Sequence, residues 1–256
     1  MSRNIARLAA LALACSAAAA ALASGPSYSP YAGRSFPERL LWGDTHLHTN
    51  MSADAGSFGN RDVGPQDAYC FARGETVTSS TGLPVRLQRP LDFLVIADHA
   101  ENLGLAPAIA ESNPALLKNP WGKEQHDLVK LGTTEGAIKA YDNWMASMGA
   151  RQDPLTDQPD LARTMWAKLT TAAEKYNQPG LFTALIGFEW TSNPGGNNLH
   201  RNVIFRDDKK RADQIVPFSQ YDSIDPEDLW TFMEGYERKT GGKVLAIPHN
   251  GNLSNG

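Results

Sequence analysis

The chain has 256 residues, 41% of them hydrophobic and 20% charged, with a formal net charge of −4. That length and composition suffice for one large domain with a real core and exclude a chain disordered throughout. The acidic balance disfavours nucleic-acid binding, which needs clustered Lys and Arg against phosphate; the basic run Lys209-Lys210-Arg211 reads as a solvated turn.

At the N-terminus, Arg3 and Arg7 flank the start of an uncharged Ala- and Leu-rich stretch, Leu8 to Leu22, which closes on the small-x-small Ala21-Leu22-Ala23. This pattern predicts a secretory signal peptide over residues 1–24, because the stretch is shorter than the roughly 20 apolar residues of a membrane span. The expected location is periplasmic or secreted, with no stable membrane insertion once the peptide is removed. Removal takes the formal charge from −4 to −6. Cys15 leaves with the peptide and Cys70 then stands alone, so neither an intrachain disulfide nor a thiolate metal site is expected.

Residues 25–39, rich in Pro, Gly, Ser and Tyr, read as an extended lead-in to a domain over 40–256. Leu40-Leu41-Trp42 predicts a first strand ending at Gly43-Asp44. Pro65 to Arg73 predicts a short helix opened by Pro in its first turn. Residues 75–89 suggest a hairpin. Leu91 to Ala97 (LDFLVIA) is a nearly continuous apolar run, the pattern of a strand buried on both faces. Leu181–Phe188, Leu199–Phe205 and Lys243–Ile247 repeat that pattern. Helical spacing occupies Glu135–Met148 and Asp160–Tyr176, and Asp225-Pro226-Glu227 opens a helix that runs to about Lys239 and closes at Gly241-Gly242. Residues 112–160 look like a helical insertion. Strands alternating with helices predict an α/β fold with a mainly parallel sheet.

Metal-capable side chains recur at the ends of these runs: His46 and His48, Asp98-His99, Glu189, His200 and His249. In α/β barrels such strand ends converge on one rim, where active sites sit. In an extended segment, side chains two apart point the same way, so His46 and His48 can address one ion. Imidazole and carboxylate suit several divalent ions, and such an ion acidifies its water towards neutral pH. Asp98 and Asp44 read either as orienting partners of the histidines or as strand caps. Asp54 reads equally as a ligand, a general base or a loop carboxylate. Asn193–Asn198 is either a substrate-contacting loop or a tight turn, and Arg201 either clamps an anion or pairs with a surface carboxylate. His126 reads as ordinary surface.

The run Asp44-Thr45-His46-Leu47-His48-Thr49, with Ser52 and Asp54, resembles the first motif of the PHP (polymerase and histidinol phosphatase) superfamily. Ile96-Ala97-Asp98-His99 is similar to its second motif and Gly187-Phe188-Glu189 to its glutamate. His200 and Ile247-Pro248-His249-Asn250 resemble its later histidine positions. The wording GDTHLHT, IADHAE and GFEWT is similar in particular to a secreted branch, the domain-of-unknown-function 3604 family. The resemblance implies a distorted (β/α)7-type barrel holding two or three Mn, Zn or Fe ions. It also implies metal-dependent hydrolysis of phosphoesters by metal-activated hydroxide, on a small anionic substrate. By that likeness His46, His48, Glu189 and His249 are ligands, with His99 and His200 beside them, and Asp54, His99 and His200 are the catalytic candidates. A late Asp-x-His expected of the superfamily does not follow His249, so the chain reads as C-terminally truncated, with activity of this piece in doubt. Competing readings are an amidohydrolase-like or other ester or sulfate hydrolase, and an inactive, exported metal-binding module.

Overall fold

The apolar runs form the middle of a five-stranded sheet in the computed structural model, which describes residues 39–57, 59–248 and 253–255. The signal-peptide expectation and nearly all of the lead-in lie outside the described residues. In chain order the elements are β1 (Gly43–Leu47), α1 (Ala53–Ser57), α2 (Pro65–Ala72), β2 (Val77–Thr78), β3 (Pro84–Val85), β4 (Phe93–Ile96), α3 (Leu105–Ala110), α4 (Pro114–Lys118), α5 (Pro120–Lys130), α6 (Thr134–Ala150), α7 (Pro159–Tyr176), β5 (Thr183–Trp190), β6 (Arg201–Phe205), α8 (Lys209–Ala212), α9 (Pro226–Thr240) and β7 (Val244–Pro248). The sheet order is β1-β4-β5-β6-β7, with β2 and β3 as a separate antiparallel hairpin. The architecture is mixed α/β, and the sheet curls as half of a barrel. No helix among the described residues is long and apolar enough to cross a membrane.

Strand alternation divides the interior. On β5, Ala184, Ile186, Phe188 and Trp190 enter the large core against the helices, while Leu185 faces the opposite way. On β4, Leu94 and Ile96 join that large core, and Val95 joins a second cluster with Ala97, Ile204, Leu185 and Ile247. Burial on both faces explains why this strand reads as an unbroken apolar run. The side of α7 carrying Leu161, Met165, Trp166, Leu169, Ala172 and Ala173 is buried, and Trp166 Nε1 donates to Ala212 O at 3.1 Å. The segment 112–160 is helical: Asn113, Asn119 and Thr133 each accept a backbone N–H and so start α4, α5 and α6. Asp225 caps α9 in the same way, and Gly241, at φ 67°, ends it.

Three expectations are corrected. The first strand begins after Leu40-Leu41-Trp42, not on it: those side chains are exposed, and the pairing with β4 starts at Gly43 opposite Phe93. Gly43 tolerates that approach only because it has no Cβ, which would lie 2.3 Å from Phe93 O. The sheet is not mainly parallel: β1-β4 and β4-β5 are parallel, β5-β6 and β6-β7 antiparallel. The link from Trp190 to Arg201 is too short to carry a helical crossover, so the chain reverses. Lys209-Lys210-Arg211 is a one-turn helix rather than a solvated turn, and Lys209 is bonded to Asp213 and Thr170.

Gly187 sits on β5 in close contact with both neighbouring strands, β4 and β6. A Cβ there would lie 2.5 Å from Val95 Cγ1 and 2.9 Å from Val203 O. Gly187→Ala is expected to cost about 1–3 kcal/mol by overpacking. A thermal melt should show a fall of several degrees; an unchanged Tm would mean that the strands can part without penalty.

Candidate metal centre

The centre is assembled by strand register. On β1, Gly43 and Asp44 pair with Phe93 and Leu94, but Leu47 pairs with Ile96, so one extra residue bulges out between them. Asp44 Oδ1 accepts the His46 N–H at 2.8 Å within that bulge, which makes Asp44 a local backbone cap. A bulge re-aims side chains, and His46 and His48 meet with their Nε2 atoms 3.0 Å apart. Beyond Ile96 the parallel pairing continues irregularly: Glu189 N donates to Asp98 O and Ala100 N to Glu189 O, both at 2.9 Å. His99 and Glu189 are therefore register partners on neighbouring strands. His200 immediately precedes β6; because β6 is antiparallel to β5, its start lies at the same end of the sheet as Glu189.

Glu189 is fully buried at the middle of the group. Its Oε2 lies 2.8 Å from His48 Nε2, 3.3 Å from His46 Nε2 and 3.6 Å from His99 Nε2, and its Oε1 lies 2.9 Å from His200 Nδ1. Asp54 Oδ2 is 3.0 Å from His48 Nδ1 and 3.7 Å from His99 Nε2. Among the described residues, three overlapping groups have ligand atoms within 4.8 Å of one another: His46-His48-Glu189, His48-Asp54-His99 and His99-Glu189-His200. His46, His48, His99, Glu189, His200 and Asp54 are thus all brought together; His249 lies outside the described residues. His126 bonds Ser112 and Asp127 instead.

These donors fit a divalent cation. Two Nε2 atoms and a carboxylate oxygen converge at 2.8, 3.0 and 3.3 Å. A tetrahedron of ligands about 2.1 Å from an ion has edges of roughly 3.4 Å. Protons alone serve this geometry badly, since N–H on both Nε2 atoms would point each at the other. Asn202, the cross-strand partner of Glu189, has a buried Oδ1 with no hydrogen-bond partner among the described residues.

Electrostatics follow from burial and pairing. Burial alone would raise Glu189, but the bonds from His200, His46 and His48 hold it far below the usual carboxylate range. Asp54 is likewise raised by burial, but the bond and charge of His48 together with the bond from Ser52 outweigh it and hold Asp54 below its usual range. Burial lowers His48, yet its bonds to Asp54 and Glu189 win and raise it to about 10. For His99 burial wins over the pull of Glu189 and lowers it to about 4, leaving a neutral ring.

Residues given no role from sequence complete the centre. His99 Nδ1 lies 2.7 Å from Thr191 Oγ1, which donates to Glu101 Oε2 at 2.5 Å, while Glu101 Oε1 accepts the Gln220 N–H at 2.7 Å. With the hydroxyl proton directed to Glu101, Thr191 accepts from His99 Nδ1–H, and the Nε2 lone pair faces the cluster. Burial pushes Glu101 up to about 7 against the opposing bonds from Thr191 and Gln220. The signal was the two-residue period: Thr191 follows Glu189 by two and Glu101 follows His99 by two. Asp98 does not orient His99. It accepts Thr49 N–H at 2.5 Å and Thr49 Oγ1–H at 2.7 Å, pinning the chain just after His48. The Arg201 guanidinium donates to Leu199 O and His200 O, and no carboxylate pairs with it among the described residues. The Asn193 segment is a tight turn, with a 3-10 turn over Pro194–Gly196, and Asn193 Oδ1 also lies 3.1 Å from His200 Nε2.

Residues 35–256 match the family described as "Protein of unknown function (DUF3604)". The chain belongs to the DUF3604 family. Every member of the cluster lies inside that matched span. No curated protein and no solved structure matches the chain.

Two outcomes are expected for a DUF3604 protein with this centre. His48 has a folded value above its ordinary 6.5. Its contribution to metal-free stability is therefore full below about pH 6.5 and lost as pH rises through about 10. Metal must expel that proton, so affinity rises with pH. Uptake near pH 7 should release about one proton per ion at His48, seen as a calorimetric heat that varies with buffer; a buffer-independent heat would contradict it. Thr191→Val should weaken metal binding about 10–100-fold by freeing the His99 ring. Competition with a chelator measures this, and unchanged affinity would remove Thr191 from the centre.

Proposed function

We propose that this DUF3604 protein is a metal-dependent hydrolase of the PHP type, exported from the cytoplasm and acting on phosphoesters of small anionic molecules. The observation that carries the reading is the set of three ligand groups interlocked through Glu189, His48 and His99 at one end of the sheet. The ordered motifs from Asp44 to His249 support the PHP comparison, and a distorted seven-stranded barrel is the architecture it implies. His249, directly after β7, is proposed as a further ligand, and the Arg3-to-Ala23 pattern supports export.

A divalent ion in these groups supplies Lewis acidity and an acidified water at neutral pH. Glu189, fully buried, is a holding group that reactants do not reach. Asp54 is different: its side chain is 29% exposed, and it touches His48 and approaches His99. It is the carboxylate placed to hold or pass a proton at the edge of the centre. His99, kept neutral by burial and oriented by Thr191, offers a lone pair rather than a charge.

The test is turnover of a chromogenic phosphodiester and a phosphomonoester with added Mn²⁺ or Zn²⁺. Metal-dependent hydrolysis is expected, and His46→Ala with His48→Ala should abolish both metal content and turnover. Metal retained in that double variant would refute the ligand assignment. Metal binding with turnover only of a carboxylic ester, a sulfate or an amide would replace the phosphoester reading by one of those classes.

A further inference from the structure

A second constellation lies in the helical segment and shares no member with the metal cluster. Ser112 Oγ and His126 Nε2 are 3.0 Å apart, and His126 Nδ1 is 3.0 Å from Asp127 Oδ1. A carboxylate only accepts, so the ring proton sits on Nδ1 and the Nε2 lone pair is left to accept from the Ser112 hydroxyl. The bonds from Lys123 and His126 hold Asp127 below its usual range and keep it ionised. Hydroxyl, imidazole and carboxylate thus stand in the order, and on the ring nitrogens, that activate serine nucleophiles on unrelated folds.

The turn that presents Ser112 is strained. Ser112 N donates to Ile109 O at 3.1 Å and Asn113 N to Ala108 O at 2.9 Å, closing α3 with Ser112 at φ 50°. Glycine adopts that left-handed conformation freely and commonly ends helices in this way; serine does not. The strained residue is the one whose hydroxyl meets His126. Neither side chain is sealed off: Ser112 is half-buried, and the His126 side chain is 15% exposed. Lys130 lies one turn beyond His126 on α5, and its Nζ donates to Ala110 O at 3.0 Å, two residues before Ser112. Ala110, Val129 and Lys130 line a cavity of about 660 Å³ whose other walls include Leu105 and Ile109.

We propose that Ser112 is a nucleophile towards carboxylic esters with an apolar acyl group, with His126 as its general base and Asp127 positioning the ring. Ser112 Oγ bonds to the carbonyl carbon as its proton passes to His126 Nε2. The bond from that carbon to the leaving oxygen breaks, and Nε2 gives the proton to the departing alcohol. Water, activated by the same base, then releases the acid and restores the Ser112 hydroxyl. Lys130 brings a cation to the same turn for the charge that develops on the carbonyl oxygen. The step needs no metal, so it stands apart from the reading of the metal centre.

The test treats the full chain, with excess chelator, with an alkyl fluorophosphonate and with 4-nitrophenyl butyrate. One phosphonyl group per chain is expected on Ser112, located by peptide mass spectrometry, with fluoride leaving; the ester is expected to release 4-nitrophenolate. Ser112→Ala should abolish both. His126→Gln should slow both by about 100-fold or more. Asp127→Asn should slow them by a smaller factor and Asp127→Glu should recover most of that loss, all with unchanged thermal melts. Absence of the phosphonyl group from Ser112, no ester turnover, turnover that survives Ser112→Ala, or an unchanged rate in His126→Gln would overturn the proposal.

Discussion

A carboxylate with no access to water governs this molecule. Glu189 is wholly buried in the central strand of the sheet, and an isolated anion there would carry a desolvation cost that the fold could not absorb. Four imidazoles approach it, from β1, from the end of β4 and from the start of β6. The geometry of the other strands can be read as the means of bringing them there. The bulge in β1 turns His46 and His48 inward, the pairing beyond β4 sets His99 alongside, and the reversal after β5 returns His200 to the same end.

The supporting contacts share a logic. Asp98 grips Thr49 and so fixes the chain at the His48 end of β1, although burial raises this carboxyl to about 6 against those bonds. Glu101 holds Thr191, which holds His99. Buried polar side chains are spent on orienting others, and the more exposed Asp54 is left at the edge. Such preorganisation keeps ligand atoms near their bonding positions before an ion arrives.

Much of this was legible in the sequence because strand ends announce themselves. A continuous apolar run followed at once by Asp98-His99, or by Glu189, marks both a buried strand and the polar residues at its mouth. The helices were legible through their caps, as with Asp225 and Gly241 around α9. Strand direction was not, since an apolar run looks the same paired either way; only the short link between Trp190 and Arg201 carried the information. Leu40-Leu41-Trp42 misled because hydrophobicity there is not burial. Thr191 and Glu101 escaped because a threonine or glutamate in a strand-end loop has no special character until its neighbour two residues back is known to matter. The choice between the two roles open to Asp98 was not legible because its partner, Thr49, is 49 residues away.

The spacing of the cluster along the chain bears on how the protein reaches this state. Glu189 and His200 are 11 residues apart, whereas His46 and Glu189 are 143 apart. The nearer pair can form within one hairpin; the farther needs the loop through all of α1 to α7 to be closed first, an entropic toll that grows with chain length. An ion bound through His46 and His48 would therefore require molecules whose edge strand has already docked. Held there, it would tie the first part of the chain to the middle and act as a latch on the completed topology, drawing its affinity from the same free energy that keeps β1 in place.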